Sequence, residues 1–180
     1  QEYLFSFHGM PLRYATSCPA LIGPATTLLQ HCRCDRVGRD PLTIQFEEVE
    51  NRRDVPVCFS SSAPQLFSGT KPALGDALRA LWHCTIVQDD GRLVVDFHEQ
   101  GALVIDGDRG TAWGYFVHPE AMHSALRESF FHYALSELLK RQQIYTLHAT
   151  ALEHQGRGVL IAGHSGRGRT TALLSLLRSG

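Results

Sequence analysis

The string Gly163-His-Ser-Gly-Arg-Gly-Arg-Thr170 constrains this chain more than any other stretch. Gly163, Gly166 and Gly168 leave backbone without side chains, which lets main-chain N–H groups turn inward and approach an anion's oxygens closely. The spacing follows the phosphate-loop pattern G-x-x-x-x-G-K-[ST], with Arg169 in the lysine slot and Thr170 in the hydroxyl slot. Such a loop needs a buried strand running into it and a helix leaving it. Both flanks comply. Gly158-Val-Leu-Ile-Ala162 is a short apolar run of strand type, and Thr170-Thr-Ala-Leu-Leu-Ser-Leu-Leu-Arg178 is built of good helix formers with an arginine in its last turn. Gly180 sits where a C-capping glycine belongs.

The chemistry follows from those residue types. A helix opening near Arg169 contributes unpaired N–H groups and the positive end of its dipole, both favourable to an anion. The Arg169 fork binds two phosphate oxygens at once, yet it is bulkier and differently aimed than an ammonium. Thr170 is the hydroxyl expected on Mg²⁺, and Thr171 caps the helix or meets a further oxygen. The candidate nucleotide-binding set is therefore Gly163, His164, Ser165, Gly166, Arg167, Gly168, Arg169, Thr170 and Thr171, with Thr170 also the candidate metal ligand. The plainer reading of the string is a glycine-rich turn joining a strand to a helix.

Taken back to Leu147, the segment Leu147-His-Ala-Thr-Ala-Leu-Glu-His-Gln-Gly-Arg-Gly-Val-Leu-Ile-Ala-Gly-His-Ser-Gly-Arg-Gly-Arg-Thr-Thr171 resembles the start of the kinase domain in the HPr kinase/phosphorylase superfamily. It is most similar to HPr-kinase-related proteins associated with peptide-modification pathways. The resemblance implies a strand beginning at the Leu-His-Ala segment, a tight turn, a second strand leading into the loop, and His148 lining the site in a catalytic role. It implies ATP or GTP with Mg²⁺ as cofactors and a serine of a protein or peptide as phosphate acceptor. Arg169 departs from the family's lysine, and the chain reaches Gly180 without the carboxylates that hold metal and orient the nucleophile in phosphoryl transfer. The resemblance thus implies an amino-terminal portion of a longer kinase, inactive alone. Two other readings stand beside it: a non-catalytic nucleotide- or phosphate-binding module, and an interaction protein whose amino-terminal sheet recognises a partner.

Composition narrows the classes. The 180 residues are 43% hydrophobic and 19% charged, a globular balance with enough apolar mass for a core. A formal net charge of −1, with basic residues scattered, argues against nucleic acid and against an anionic membrane. No apolar run approaches the ~20 residues of a membrane span, and no signal-peptide pattern opens the chain. Five cysteines without a repeated framework suit reduced thiols in the cytoplasm. His31-Cys32-Arg-Cys34 offers zinc-type ligands, but no second pair follows at zinc-site spacing.

The pattern along the chain predicts an α+β protein: a mainly antiparallel amino-terminal region over 1–118, a long amphipathic helix or connection over 119–143, and the start of a P-loop kinase α/β domain over 144–180. Strands are expected at 3–7, 12–16 and 42–49, with a short helix over 19–31 despite Gly23 and Pro24. Residues 51–75 read as loop with a strand at 57–59. Runs at 82–87, 92–98, 102–106 and 111–117, separated by Asp89-Asp-Gly91, Glu99-Gln-Gly101 and Asp106-Gly-Asp-Arg-Gly110, predict an antiparallel meander. Pro119 reads as the first position of the longest helix, with Met122, Leu126, Phe130, Ala134 and Leu138 along its core-facing stripe. Further strands are expected at 145–153 and 158–162. One strand and one helix cannot bury both faces of a parallel sheet, so apolar surface is expected near the loop, and self-association is one way to cover it.

Overall fold

The computed structural model describes residues 1–72, 81–147, 149–163 and 168–179. They fall into two compact units, Gln1–Ile144 and Tyr145–Gly180.

The first unit is organised by one eight-stranded sheet. β1 (Glu2–Phe7) and β2 (Met10–Thr16) form a hairpin across His8 and Gly9, both at positive φ. The chain then passes through a 3₁₀ turn, Pro19–Leu21, and α1 (Ile22–Leu28) before β3 (Leu42–Val49), which lies parallel to β2. β4 (Gln65–Pro72), β5 (Leu81–Asp89), β6 (Arg92–Asp96), β7 (Gly101–Asp106) and β8 (Thr111–Val117) form the expected antiparallel meander, extended by β4. β8 then closes on β3 in parallel, giving the order β1-β2-β3-β8-β7-β6-β5-β4. The sheet is mostly antiparallel, with β2, β3 and β8 as a parallel block inside it.

Several sequence expectations are corrected here. Residues 57–59 form no strand, and the strand of that region is β4 instead. Gly69 and Pro72 hid it, but both are tolerated because β4 is an edge strand. The helix over 19–31 is three short pieces: the 3₁₀ turn, α1, and a second 3₁₀ turn at Gln30–Cys32. Pro24 does not break α1, because it is the third helical residue, whose amide has no intrahelical acceptor in any case. Pro119 opens a 3₁₀ turn, Pro119–Ala121, rather than the long helix. Met122 then returns to an extended conformation, and α2 (Ser124–Arg141) begins only after His123, whose Nδ1 accepts from the Ala125 amide at 3.2 Å. Arg127 ties the turn to the helix by donating to the carbonyls of Pro119 (2.9 Å) and Met122 (2.6 Å).

α1 and α2 pack on each other, and α2 packs on β3, β7 and β8. Alternation places Leu42, Ile44 and Phe46 of β3 and Ala112 and Phe116 of β8 inward, where they meet Phe130, Phe131, Ala134 and Leu138 of α2. The rings interlock: Phe116 stacks on Phe130 with centroids 4.6 Å apart, and Phe46 meets Phe116 edge-on at 5.1 Å. Gly114 makes room for this, since a Cβ there would lie 2.5 Å from the Phe116 ring and 2.8 Å from the Phe46 ring. Tyr14 is fully buried, and its hydroxyl donates to the Leu21 carbonyl at 2.6 Å, joining β2 to the start of α1. Burial pushes the Tyr14 phenol far above its ordinary range, so it remains a neutral donor.

Candidate functional site

The second unit is a hairpin followed by a helix. β9 (Ala149–His154) pairs antiparallel with β10 (Arg157–Ala162) through a two-residue turn, Gln155-Gly156, with φ of 51° and 76°. Two successive left-handed residues are the type I′ geometry that matches strand twist, and glycine at the second position removes the Cβ conflict. Glu153 secures the turn, its carboxylate accepting from the Gly156 amide. β9 starts at Ala149, later than the expected 145, and β10 runs up to Gly163 but is almost wholly exposed, not the buried strand that the motif calls for.

The helix beyond the loop, α3, is Arg169–Ser179. Gly168 stands just before it at φ +75° with open space where a Cβ would project, and its carbonyl accepts from the Ala172 amide at 2.9 Å. It is thus the capping residue, in a conformation that L side chains rarely adopt. The amides of Arg169, Thr170 and Thr171 belong to the first turn, which has no intrahelical acceptors for them. Gly163 and Arg169 come together across the loop: a Cβ on Gly163 would sit 3.7 Å from Cγ and Cδ of Arg169. The arginine's aliphatic stem therefore lies against the loop's first glycine, and the two ends of the string close on each other. Thr170 and Thr171 are exposed at the helix start. His148, His164, Ser165, Gly166, Arg167 and Gly180 lie outside the described residues.

Away from the loop, a cleft of about 410 Å³ opens between the turn end of the hairpin and the far end of α3. Leu152, Val159, Leu176 and Leu177 supply its apolar wall, and Glu153, His154 and Arg157 its polar side. No motif in the sequence marks this cleft. Apolar side chains remain uncovered across the unit: Leu160 of β10 is 66% exposed and Leu177 of α3 is 60% exposed.

The other candidates can be placed too. Cys32 and Cys34 are half-buried and His31 is exposed, and their ligand atoms do not converge as a three-ligand group. Asp89 ends β5 and Asp90 enters the two-residue turn to β6, Asp90 at φ +47° with Gly91 following at +75°, so they are hairpin residues. Among the described residues no helix is long and apolar enough to cross a membrane. Compared with known proteins, the chain matches no protein-family model, no curated protein and no solved structure.

Proposed function

We propose that Tyr145–Gly180 is the phosphate-binding segment of a nucleotide-dependent phosphotransferase of the HPr-kinase-related type, taking ATP or GTP with Mg²⁺ and passing phosphate to a serine of a protein or peptide. One observation carries this reading. The phosphate-loop string lies between β10 and the first turn of α3, with Gly168 in a left-handed conformation at the helix mouth and Arg169 folded back over Gly163. In that frame the α3 dipole and first-turn amides face a bound phosphate, the Arg169 fork neutralises it, and Thr170 reaches the metal. The hairpin and helix also expose apolar side chains on β10 and α3, which suits elements of a larger layered sheet.

A second reading is favoured by Arg169 itself. Arginine keeps a bidentate grip on phosphate but does not reproduce the lysine's compact charge, so the segment would bind nucleotide without turnover. The two readings separate in one assay series. Titration calorimetry of the chain with Mg²⁺-ATP and Mg²⁺-GTP is expected to show binding that Gly168→Val abolishes, because valine cannot hold the left-handed cap. Absence of heat at millimolar nucleotide would refute both. Arg169→Lys is then expected to preserve binding; phosphate transfer to a serine peptide by a longer protein that joins this segment to metal-binding carboxylates would select the kinase reading.

A further inference from the structure

We infer that the first unit carries a divalent transition-metal site, of the kind zinc or cobalt occupies, formed by Cys18, Glu48 and Glu120. The argument begins with topology. β2, β3 and β8 are neighbouring parallel strands, so their carboxyl ends lie side by side along one edge of the sheet. Each end contributes one donor. Cys18 follows β2 by two residues and caps the 3₁₀ turn Pro19–Leu21, Glu48 is the penultimate residue of β3, and Glu120 lies in the turn that follows β8. Residues separated by 30 and 72 positions in sequence thus bring a thiol sulfur and two carboxylate oxygens within 4.8 Å of one another. The carboxyl ends of parallel strands are where open α/β sheets place ligands, because loops diverge there and leave room.

The donor set is chemically coherent. A thiolate and carboxylates suit zinc, with three protein ligands and a water making up four-coordination. Glu48 has the parity of the inward series Leu42, Ile44 and Phe46 but is exposed, so its carboxylate is open to an incoming ion. Two carboxylates facing a buried thiol repel as soon as the thiol ionises, and a dication removes that conflict. On binding, the S–H proton leaves for solvent and a metal–sulfur bond replaces it; no oxidant or reductant is involved. A depression of about 570 Å³ bordered by Thr16, Ser17, Glu47 and Glu48 adjoins the Glu48 side of the cluster.

The test is a cobalt titration of the whole chain kept reduced with a non-thiol phosphine. One equivalent of Co²⁺ is expected to produce the near-ultraviolet thiolate-to-cobalt charge-transfer band. Cys18→Ser removes the band, Glu120→Gln weakens cobalt binding roughly tenfold or more, and the pair Cys32→Ser with Cys34→Ser leaves it intact. Glu120 is exposed, so its variant keeps the fold and retains falsifiability should Cys18→Ser destabilise the core. In parallel, Zn²⁺ is expected to raise the melting temperature of the wild type but not of Glu120→Gln. The inference is overturned if saturating cobalt gives no thiolate band, if the band survives Cys18→Ser, or if it disappears with Cys32 and Cys34.

Discussion

The two units use similar side chains to opposite effect. In Gln1–Ile144 most large apolar residues are interior, Leu28 and Leu66 excepted: Phe46, Phe116, Phe130 and Phe131 are all essentially inaccessible and in ring-to-ring contact. In Tyr145–Gly180, Val159, Leu160, Leu174, Leu176 and Leu177 are 45–66% exposed. The difference is one of layers. Eight strands under two helices enclose a volume, whereas a two-stranded hairpin and one helix have too few faces to turn inward. Hydrophobic composition therefore does not locate stability along this chain. The number of elements able to share a core does.

The largest effect that would test this contrast comes from emptying the ring cluster. Phe130→Ala is expected to destabilise the first unit by about 3–5 kcal/mol, since it removes a fully buried ring that stacks on Phe116 and touches Phe97 at a centroid distance of 4.5 Å. Both tryptophans, Trp82 and Trp113, lie in that unit, so denaturation followed by tryptophan fluorescence reads it selectively. A midpoint unchanged by Phe130→Ala would mean that this core does not hold the sheet.

The sequence disclosed the parts of the fold that rest on local signals. Alternation in Leu42–Val49 and the glycine-marked turns around Asp89-Asp90-Gly91 and Asp106–Gly110 produced strands where they were expected, because period-two burial and left-handed turn residues are local properties. The parallel pairings of β3 with β2 and β8 left no such trace, since nothing local records which strand a distant run will join. β4 was missed because an edge strand tolerates glycine and proline, and α2 was placed too early because proline suits a 3₁₀ turn as well as a helix. At the candidate sites the same division holds. The loop from Gly163 is contiguous and visible as a motif, whereas Cys18, Glu48 and Glu120 meet only once three strands align, and nothing local in the sequence marks them.

A smaller effect should follow from pH, again confined to the first unit. Burial lowers the pKa of His132, which lies on α2 with its Nδ1 3.4 Å from Ser136 Oγ. The folded state therefore binds this proton less readily than the unfolded chain, whose histidine titrates near 6.5. Above that value both states are neutral and the group has no influence. As pH falls below it, the unfolded state gains the proton first and stability declines until the folded pKa is passed. His132→Gln is expected to flatten this part of the stability-against-pH curve, and an identical slope in the variant would show that burial of the imidazole does not carry it.

The smallest effect is expected in the second unit, and it completes the contrast. Leu177 is a leucine in a helix, as Leu138 is, but it is 60% exposed where Leu138 is fully buried. Leu177→Ala removes little area from an already wet surface and leaves no enclosed cavity, so its cost should be within about 0.5 kcal/mol, with helix propensity favouring alanine. The tryptophan-monitored midpoint should not move, and helical content by circular dichroism should be unchanged. A loss comparable to Phe130→Ala would mean that Leu177 is covered in solution, by a second copy of the chain or by further structure, and sedimentation at increasing concentration would tell self-association from the alternative.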